Sequence, residues 1–401
     1  MLSYIEMEDI VMKKVIAGLI SFTMILSLMV PIAGAAEKEN KTDLIFAEKA
    51  SSAIIMERDT GEVLYEKNSE ESLPPASMTK IMTMLLIMEA IDKKQLKYED
   101  MIRVSDNAAS MGGSQIFLEP GEEMSVQDML KGIAVASGND ASVAMAEHLG
   151  GTEAGFAEMM NEKAQELGLT KTHFSNSNGL PVENHYTSAH DLAVMSKELL
   201  KYEDITKFTG IYEDYLRSDT EKPFWLVNTN KLVRFYPGVD GLKTGYTKEA
   251  KYGLTATAEK DGMRIIAVVM GSPSPKERNA DVTTMLDFAF SQFKTHKLHE
   301  RNDSVAEVKI SKGQKRNVQA VTGESVSILT KKGESVEEVK ERVELAENIK
   351  APVHKGDEIG TLIIENGDKV VSETPLVAEE EIAEASWWTL FKRVLGGFGG
   401  N

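Results

Sequence analysis

The sequence predicts an α+β protein. One antiparallel sheet is assembled from distant stretches of chain and covered by helices, including a helical subdomain, and a small all-β domain and a terminal amphipathic helix follow. Three observations predict this. Hairpin patterns stand near residues 52–65 and 252–270, mainly helical patterns lie between them, and after about His296 the chain turns to short alternating runs. Strands at both ends of a segment form one sheet only by pairing across the sequence, which leaves the intervening helices to cover its faces.

At the N-terminus Lys13 and Lys14 precede an apolar run from Val15 to Ile32, and Ala33-Gly34-Ala35 supplies the small residues at which a signal peptidase cuts. The run is short for a membrane span, so residues 1–35 read as a cleaved secretory signal peptide and the protein as exported. Glu6, Glu8 and Asp9 occupy the place of a basic leader, which puts the expected start of translation at Met12.

The first domain is expected over 38–295. Ser52–Met56 and Glu62–Tyr65 flank the turn Asp59-Thr60-Gly61, and Pro74-Pro75 closes the hairpin. From Ser77 to Ala90 apolar residues point all round, the pattern of a buried helix. Ser125, with Asp128 three residues on, caps a helix that ends near Ala136. Further helices are expected from Asn139 to Leu149, Glu153 to Leu167 and His190 to Lys201. Strands return after Pro237, with Tyr252–Ala258 and Met263–Met270 around Asp261-Gly262, and an amphipathic helix runs from Arg278 to Phe293. The all-β domain is expected over 297–380, on the alternation of Val305–Ile310, Val326–Ile328 and Leu362–Ile364. An amphipathic helix is expected over 382–397. Trp387, Trp388, Leu390 and Phe391 beside Lys392 and Arg393 fit a membrane-surface anchor better than a helix packed on its own domain.

Composition narrows the chemistry. There is no cysteine among the 401 residues, which excludes disulfides, thiolate catalysis and cysteine-ligated metals. A net charge of −18 disfavours nucleic acid as a partner. None of the seven histidines has metal-ligand spacing, so neither metal nor cofactor is expected. Near the Asn178 loop, His185 and His190 read as structural.

Three short motifs carry chemistry. In Ser77-Met78-Thr79-Lys80 the serine and lysine share one helix face. Ser77 lies at the helix mouth, where free N–H groups favour developing negative charge, and Lys80 lies one turn inside a buried helix, where desolvation lowers an ammonium pKa. A serine hydroxyl needs such a base to become nucleophilic. Ser137-Gly138-Asn139 sits in a turn between two helices, where the hydroxyl can relay a proton and the carboxamide can hold a substrate amide. Lys243-Thr244-Gly245 enters a strand, offering a cation and a hydroxyl to a carboxylate, with a glycine that admits substrate backbone. Each alone is weak: Ser-x-x-Lys also describes a capping serine with a snorkelling lysine. A second Ser-Asp-Asn string at 105 reads as a helix cap.

In this order the three motifs resemble the signature of penicillin-binding proteins and class A β-lactamases. The chain is most similar to the low-molecular-mass D-alanyl-D-alanine carboxypeptidases, through Pro75–Lys80, Gly138–Ala141, Asn178-Gly179-Leu180, Asp191-Leu192-Ala193 and Val239–Gly245. The resemblance implies a penicillin-binding, serine β-lactamase-like fold that acts at the outer face of the cytoplasmic membrane or the cell wall. It implies Ser77, Lys80, Ser137, Asn139 and Lys243 as catalytic residues, Ser77 being acylated by the peptidoglycan stem peptide or by β-lactams. It further implies oxyanion donors from the backbone of Ser77 and Tyr246, and Lys243, Thr244, Gly245, Tyr246 and Arg278 as substrate-binding residues. Tyr246 is a departure, since some members carry His there. Three rivals stand beside this reading: a β-lactamase, an endopeptidase of the same fold, and a non-catalytic wall-binding protein. The sequence lacks the Glu-x-x-Leu-Asn segment that a β-lactamase uses to activate water.

Overall fold

A computed structural model describes residues 45–336, 339–367 and 369–398; the expected signal peptide lies outside them. Strands β1 (Ser52–Glu57), β2 (Val63–Lys67), β3 (Val239–Thr247), β4 (Lys251–Lys260) and β5 (Met263–Ser272) form one antiparallel sheet in the order β2-β1-β5-β4-β3. The N-terminal hairpin thus pairs with the last strand of the domain, and Ile54 stands opposite Val268. The turn after β4 uses Asp261 and Gly262, both at positive φ, as a two-residue hairpin requires.

Both faces of the sheet are covered. Ile55, Leu254, Ala256 and Ile265 pack under Val282, Met285 and Leu286 of the helix Pro275–Gln292. Ile54, Met56, Ile266 and Val268 face the helical part of the molecule. That part comprises α1 (Lys80–Asp92), α2 (Val126–Ala136), α3 (Asn139–Gly150), α4 (Glu153–Glu166) and α5 (Ala189–Leu199); Pro275–Gln292 is α6. The Ser125 hydroxyl accepts from the Asp128 N–H at 3.1 Å, the cap its spacing predicts. Likewise Ser105 accepts from Ala108 N–H, so the Ser-Asp-Asn string at 105 starts a short helix. Two small antiparallel pairs, Met101–Arg103 with Glu123–Ser125 and Glu213–Leu216 with Phe224–Val227, had no clear period in sequence.

Three helix starts differ from expectation, and at one of them α6 begins at Pro275 instead of Arg278, with the Ser274 hydroxyl accepting from Glu277 N–H. Ala76–Thr79 is a 3₁₀ turn, and α1 begins only at Lys80. Ala76 sits at φ 48°, so the chain turns sharply into Ser77 before regular helix can form. At the other end the terminal helix, α7, spans Trp387–Phe398 instead of starting at 382. Ile382 is buried in a bridge with Val353, and the Ser386 hydroxyl accepts from Thr389 N–H to start the helix there.

Beyond α6, β6 (Phe293–His299), which crosses the expected boundary near 296, pairs with β9 (Val326–Lys331). β7 (Ser304–Lys309), β8 (Asn317–Thr322), β10 (Val339–Leu345), β11 (Glu358–Asn366) and β12 (Lys369–Ala378) form a sheet in the order β7-β8-β12-β11-β10. Val308, Val318, Leu362, Ile364 and Leu376 make its core. Polar contacts join it to the first domain. Glu324 lies 2.8 Å from Lys197 and 3.2 Å from Lys201, and Ser327 Oγ donates to buried Asp59 at 2.7 Å.

Candidate active site

The structure brings the three motifs into one groove, where the 3₁₀ turn, the α2–α3 turn and strand β3 meet. Lys80 is fully buried at the start of α1. Its Nζ lies 2.6 Å from Asn139 Oδ1, 2.6 Å from the Asn178 carbonyl and 3.3 Å from Ser77 Oγ. Burial pushes the Lys80 ammonium well below its usual range, and the charge of Lys243 pushes it further the same way. A neutral amine has two N–H groups and one lone pair. The two carbonyl oxygens take the N–H groups, which leaves the lone pair for the Ser77 hydroxyl.

Asn139, at the first turn of α3, is pinned on both sides. Its Nδ2 donates to Gly112 O at 2.7 Å and its backbone N–H to Ser114 O at 2.7 Å. Buried Asp140 next to it accepts from the N–H groups of Ile116 and Leu118, which holds that loop beside the groove. Ser137 ends α2 in the left-handed conformation at φ 64°; its buried Oγ has no hydrogen-bond partner among the described residues.

On β3, Lys243 Nζ is buried and donates to the Thr244 carbonyl at 3.1 Å. Burial and the nearby Arg278 charge bring its pKa down to about 7. Thr244 Oγ1 donates to Thr229 Oγ1 at 2.7 Å. At Gly245 the protein itself makes a close approach. A Cβ there would stand 2.7 Å from the Pro75 carbonyl, so the missing side chain lets β3 lie against the turn that carries Ser77. Tyr246 is exposed and stacks on Tyr252 with 4.3 Å between ring centroids. Arg278, buried in the first turn of α6, donates to Asn279 Oδ1 and, at 3.5 Å, to Gly253 O. Burial lowers its pKa to about 10.

Three contributors had no role in the expected site. The Asn178 carbonyl is a main-chain group, legible only in the fold. Gly179 brings it there, at φ 85°, where a Cβ would lie 1.9 Å from the Ala76 carbonyl. His185 accepts from Ser175 N–H at Nδ1, so its Nε2 proton points to Thr79 Oγ1, 2.7 Å away between Ser77 and Lys80. Burial, helped by His173, lowers its pKa to about 4, so it stays neutral and ties this loop to the Ser77 turn. Glu70, His190 and Asp191 also cluster, but Asp191 is occupied by Lys171 N–H and the Thr172 hydroxyl.

A hydroxyl, a desolvated amine and a cationic strand on one groove define the class of serine enzymes that pass an acyl group through an ester. The comparisons agree with that class. Residues 36–274 match the D-alanyl-D-alanine carboxypeptidase family, peptidase S11, and residues 293–384 match the C-terminal domain of penicillin-binding protein 5. The chain is 58% identical to the D-alanyl-D-alanine carboxypeptidase DacF of Bacillus subtilis, over 96% of this chain and 98% of that protein. Penicillin-binding protein 5 of Haemophilus influenzae is similar in structure, with a TM-score of 0.64 and 31% identity over 84% of this chain and 98% of that one. Penicillin-binding protein D2 of Listeria monocytogenes, solved in an ampicillin-bound form, aligns over 60% of this chain and 98% of its own at 30% identity and a TM-score of 0.55. The protein belongs to the peptidase S11 D-alanyl-D-alanine carboxypeptidase family.

Proposed function

We propose that this protein is an exported serine D-alanyl-D-alanine carboxypeptidase that removes the terminal D-Ala from peptidoglycan stem pentapeptides. The observation that carries the reading is the Lys80 amine, buried and held at 2.6 Å by two carbonyl oxygens with Ser77 Oγ as its third neighbour. Lys80 takes the Ser77 proton as Oγ attacks the penultimate D-Ala carbonyl. The backbone N–H groups of Ser77 and Tyr246 donate to the oxyanion. Its collapse breaks the peptide C–N bond, and the proton held by Lys80 passes through Ser137, beside Lys243, to the departing amine, which returns Lys80 to its neutral form. Water, deprotonated by Lys80, then attacks the ester and frees Ser77. Asn139 orients the substrate amide, while Lys243, Thr244 and Arg278 hold the terminal carboxylate. β-Lactams acylate Ser77 as mimics of the dipeptide.

The reading divides the chain into a signal peptide (1–35), a catalytic domain (38–295), a β domain (297–380) and a membrane-surface helix (382–397). Exposed Trp387, Trp388 and Phe391 support membrane attachment, with mutual ring contacts at 4.9–6.1 Å. No helix among the described residues is long and apolar enough to cross a membrane. The test is release of D-Ala from a stem pentapeptide. The wild type liberates it; Ser77→Ala loses the activity with its melting temperature unchanged. Release by the Ala variant at the wild-type rate contradicts the proposal.

A further inference from the structure

Thr229 lies outside every motif that defines the groove, yet it touches one of them and bonds to the chain two residues before another. It stands between two buried asparagines that fix its backbone. Asn228 Nδ2 donates to the carbonyls of Thr209 at 2.9 Å and Ile211 at 2.7 Å, and its Oδ1 accepts from Asn230 N–H. Asn230 Nδ2 donates to Gly241 O at 3.0 Å, on β3 itself. The Thr229 N–H donates to Val135 O at 3.3 Å, two residues before Ser137. With both flanks held, the half-buried Thr229 side chain is directed at β3, and its Oγ1 accepts from Thr244 Oγ1 at 2.7 Å.

The direction of that bond matters. With its proton given to Thr229, Thr244 presents only lone pairs elsewhere. A carboxylate has no proton to give and needs Thr244 to donate. A hydroxyl pair can reverse: Thr229 turns to donate to Thr244, and Thr244 turns its proton to the carboxylate. The second donor polarises the first, which strengthens a charge-assisted bond in a site of low dielectric.

Resting on the carboxypeptidase reading above, we infer that Thr229 is a positioning residue for recognition of the substrate's terminal carboxylate, acting through a reversible hydroxyl pair with Thr244. It touches no reacting atom, so it governs binding of the free acid and not the chemical step. Valine at 229 keeps the shape and removes the hydroxyl; serine keeps the hydroxyl.

The test compares full-length wild type, Thr229→Val and Thr229→Ser on a D-Ala-D-Ala peptide with a free carboxylate and on the same peptide as its C-terminal amide. For the acid, Thr229→Val raises KM by up to about tenfold, the upper end for one neutral hydrogen bond, with kcat within about twofold. Its preference for acid over amide falls by the same factor, and Thr229→Ser restores both. Equal losses on acid and amide, an unchanged preference, or a serine variant as poor as the valine one overturns the inference. Wild type that releases neither D-Ala from the acid nor D-alaninamide from the amide sinks the carboxypeptidase reading itself, a result separate from these.

Discussion

Among the described residues neither Lys80 nor Lys243 forms an ion pair, although the Asp140 charge partly opposes the lowering at Lys80, and the proposed reaction asks opposite things of the two lysines. As a base, Lys80 must be neutral; burial and the Lys243 charge depress its pKa, so its competent form accumulates as pH rises through that lowered value. As a carboxylate ligand, Lys243 must be charged, and that form is present below about 7 and lost above it. The expected profile of kcat/KM on an acid-terminated peptide is therefore a bell. In Lys243→Arg the guanidinium stays charged, so the alkaline limb disappears while the acid limb remains. An alkaline limb identical to wild type assigns it to another group. At this scale the sequence was most legible, because Ser77, Lys80, Ser137, Asn139 and Lys243 sit in motifs whose spacing has a mechanical reason. Thr229, His185 and the Asn178 carbonyl were not legible: each acts through a contact between loops distant in sequence.

At the scale of elements, the groove depends on two close approaches. The Asn178 loop meets the turn before α1 at Gly179, and β3 meets the same turn at Gly245. An alanine at 179 faces both a positive φ and a contact of 1.9 Å with the Ala76 carbonyl, so the loop must retreat from Lys80. Gly179→Ala is expected to cost about 2–4 kcal/mol in thermal unfolding and to slow penicillin acylation at least tenfold. Normal acylation by this variant refutes the demand for contact. Helices and hairpins with strong periods or caps were readable from sequence. The 3₁₀ turn at Ala76–Thr79 was not, since its backbone is set by the strands packed around it. The start of α7 was misplaced because apolar Ile382 fits a helical period as well as it fits the β core that buries it.

Across the whole molecule, the two domains meet at Glu324. Burial alone would raise its carboxyl pKa, but Lys197 and Lys201 outweigh that and hold it below the usual range. A depressed carboxylate contributes stability that is complete above its unfolded pKa and fades as pH falls through the folded value. Glu324→Gln is therefore expected to lower unfolding free energy near neutral pH by about 2 kcal/mol, and the difference from wild type should shrink on acidification below about pH 4. A constant difference across that range excludes the charge as its source. Truncation after Glu381 should release the protein from vesicles without loss of D-Ala release from a soluble peptide. Equal binding by the truncated protein places the membrane contact elsewhere. That strands from both ends of the first domain share one sheet covered by helices followed from the positions of the hairpin patterns. The small strand pairs and the polar seam between domains did not, because neither leaves a period in the sequence.

The central claim is that Ser77 is the nucleophile and the buried Lys80 amine activates it. Peptide-mapping mass spectrometry after treatment with benzylpenicillin tests this most directly. The predicted result is one adduct per chain on the peptide containing Ser77, absent in Ser77→Ala and formed at least a hundredfold more slowly in Lys80→Met, in keeping with the loss of a general base. An adduct on any other residue, or undiminished labelling without the Lys80 amine, contradicts it.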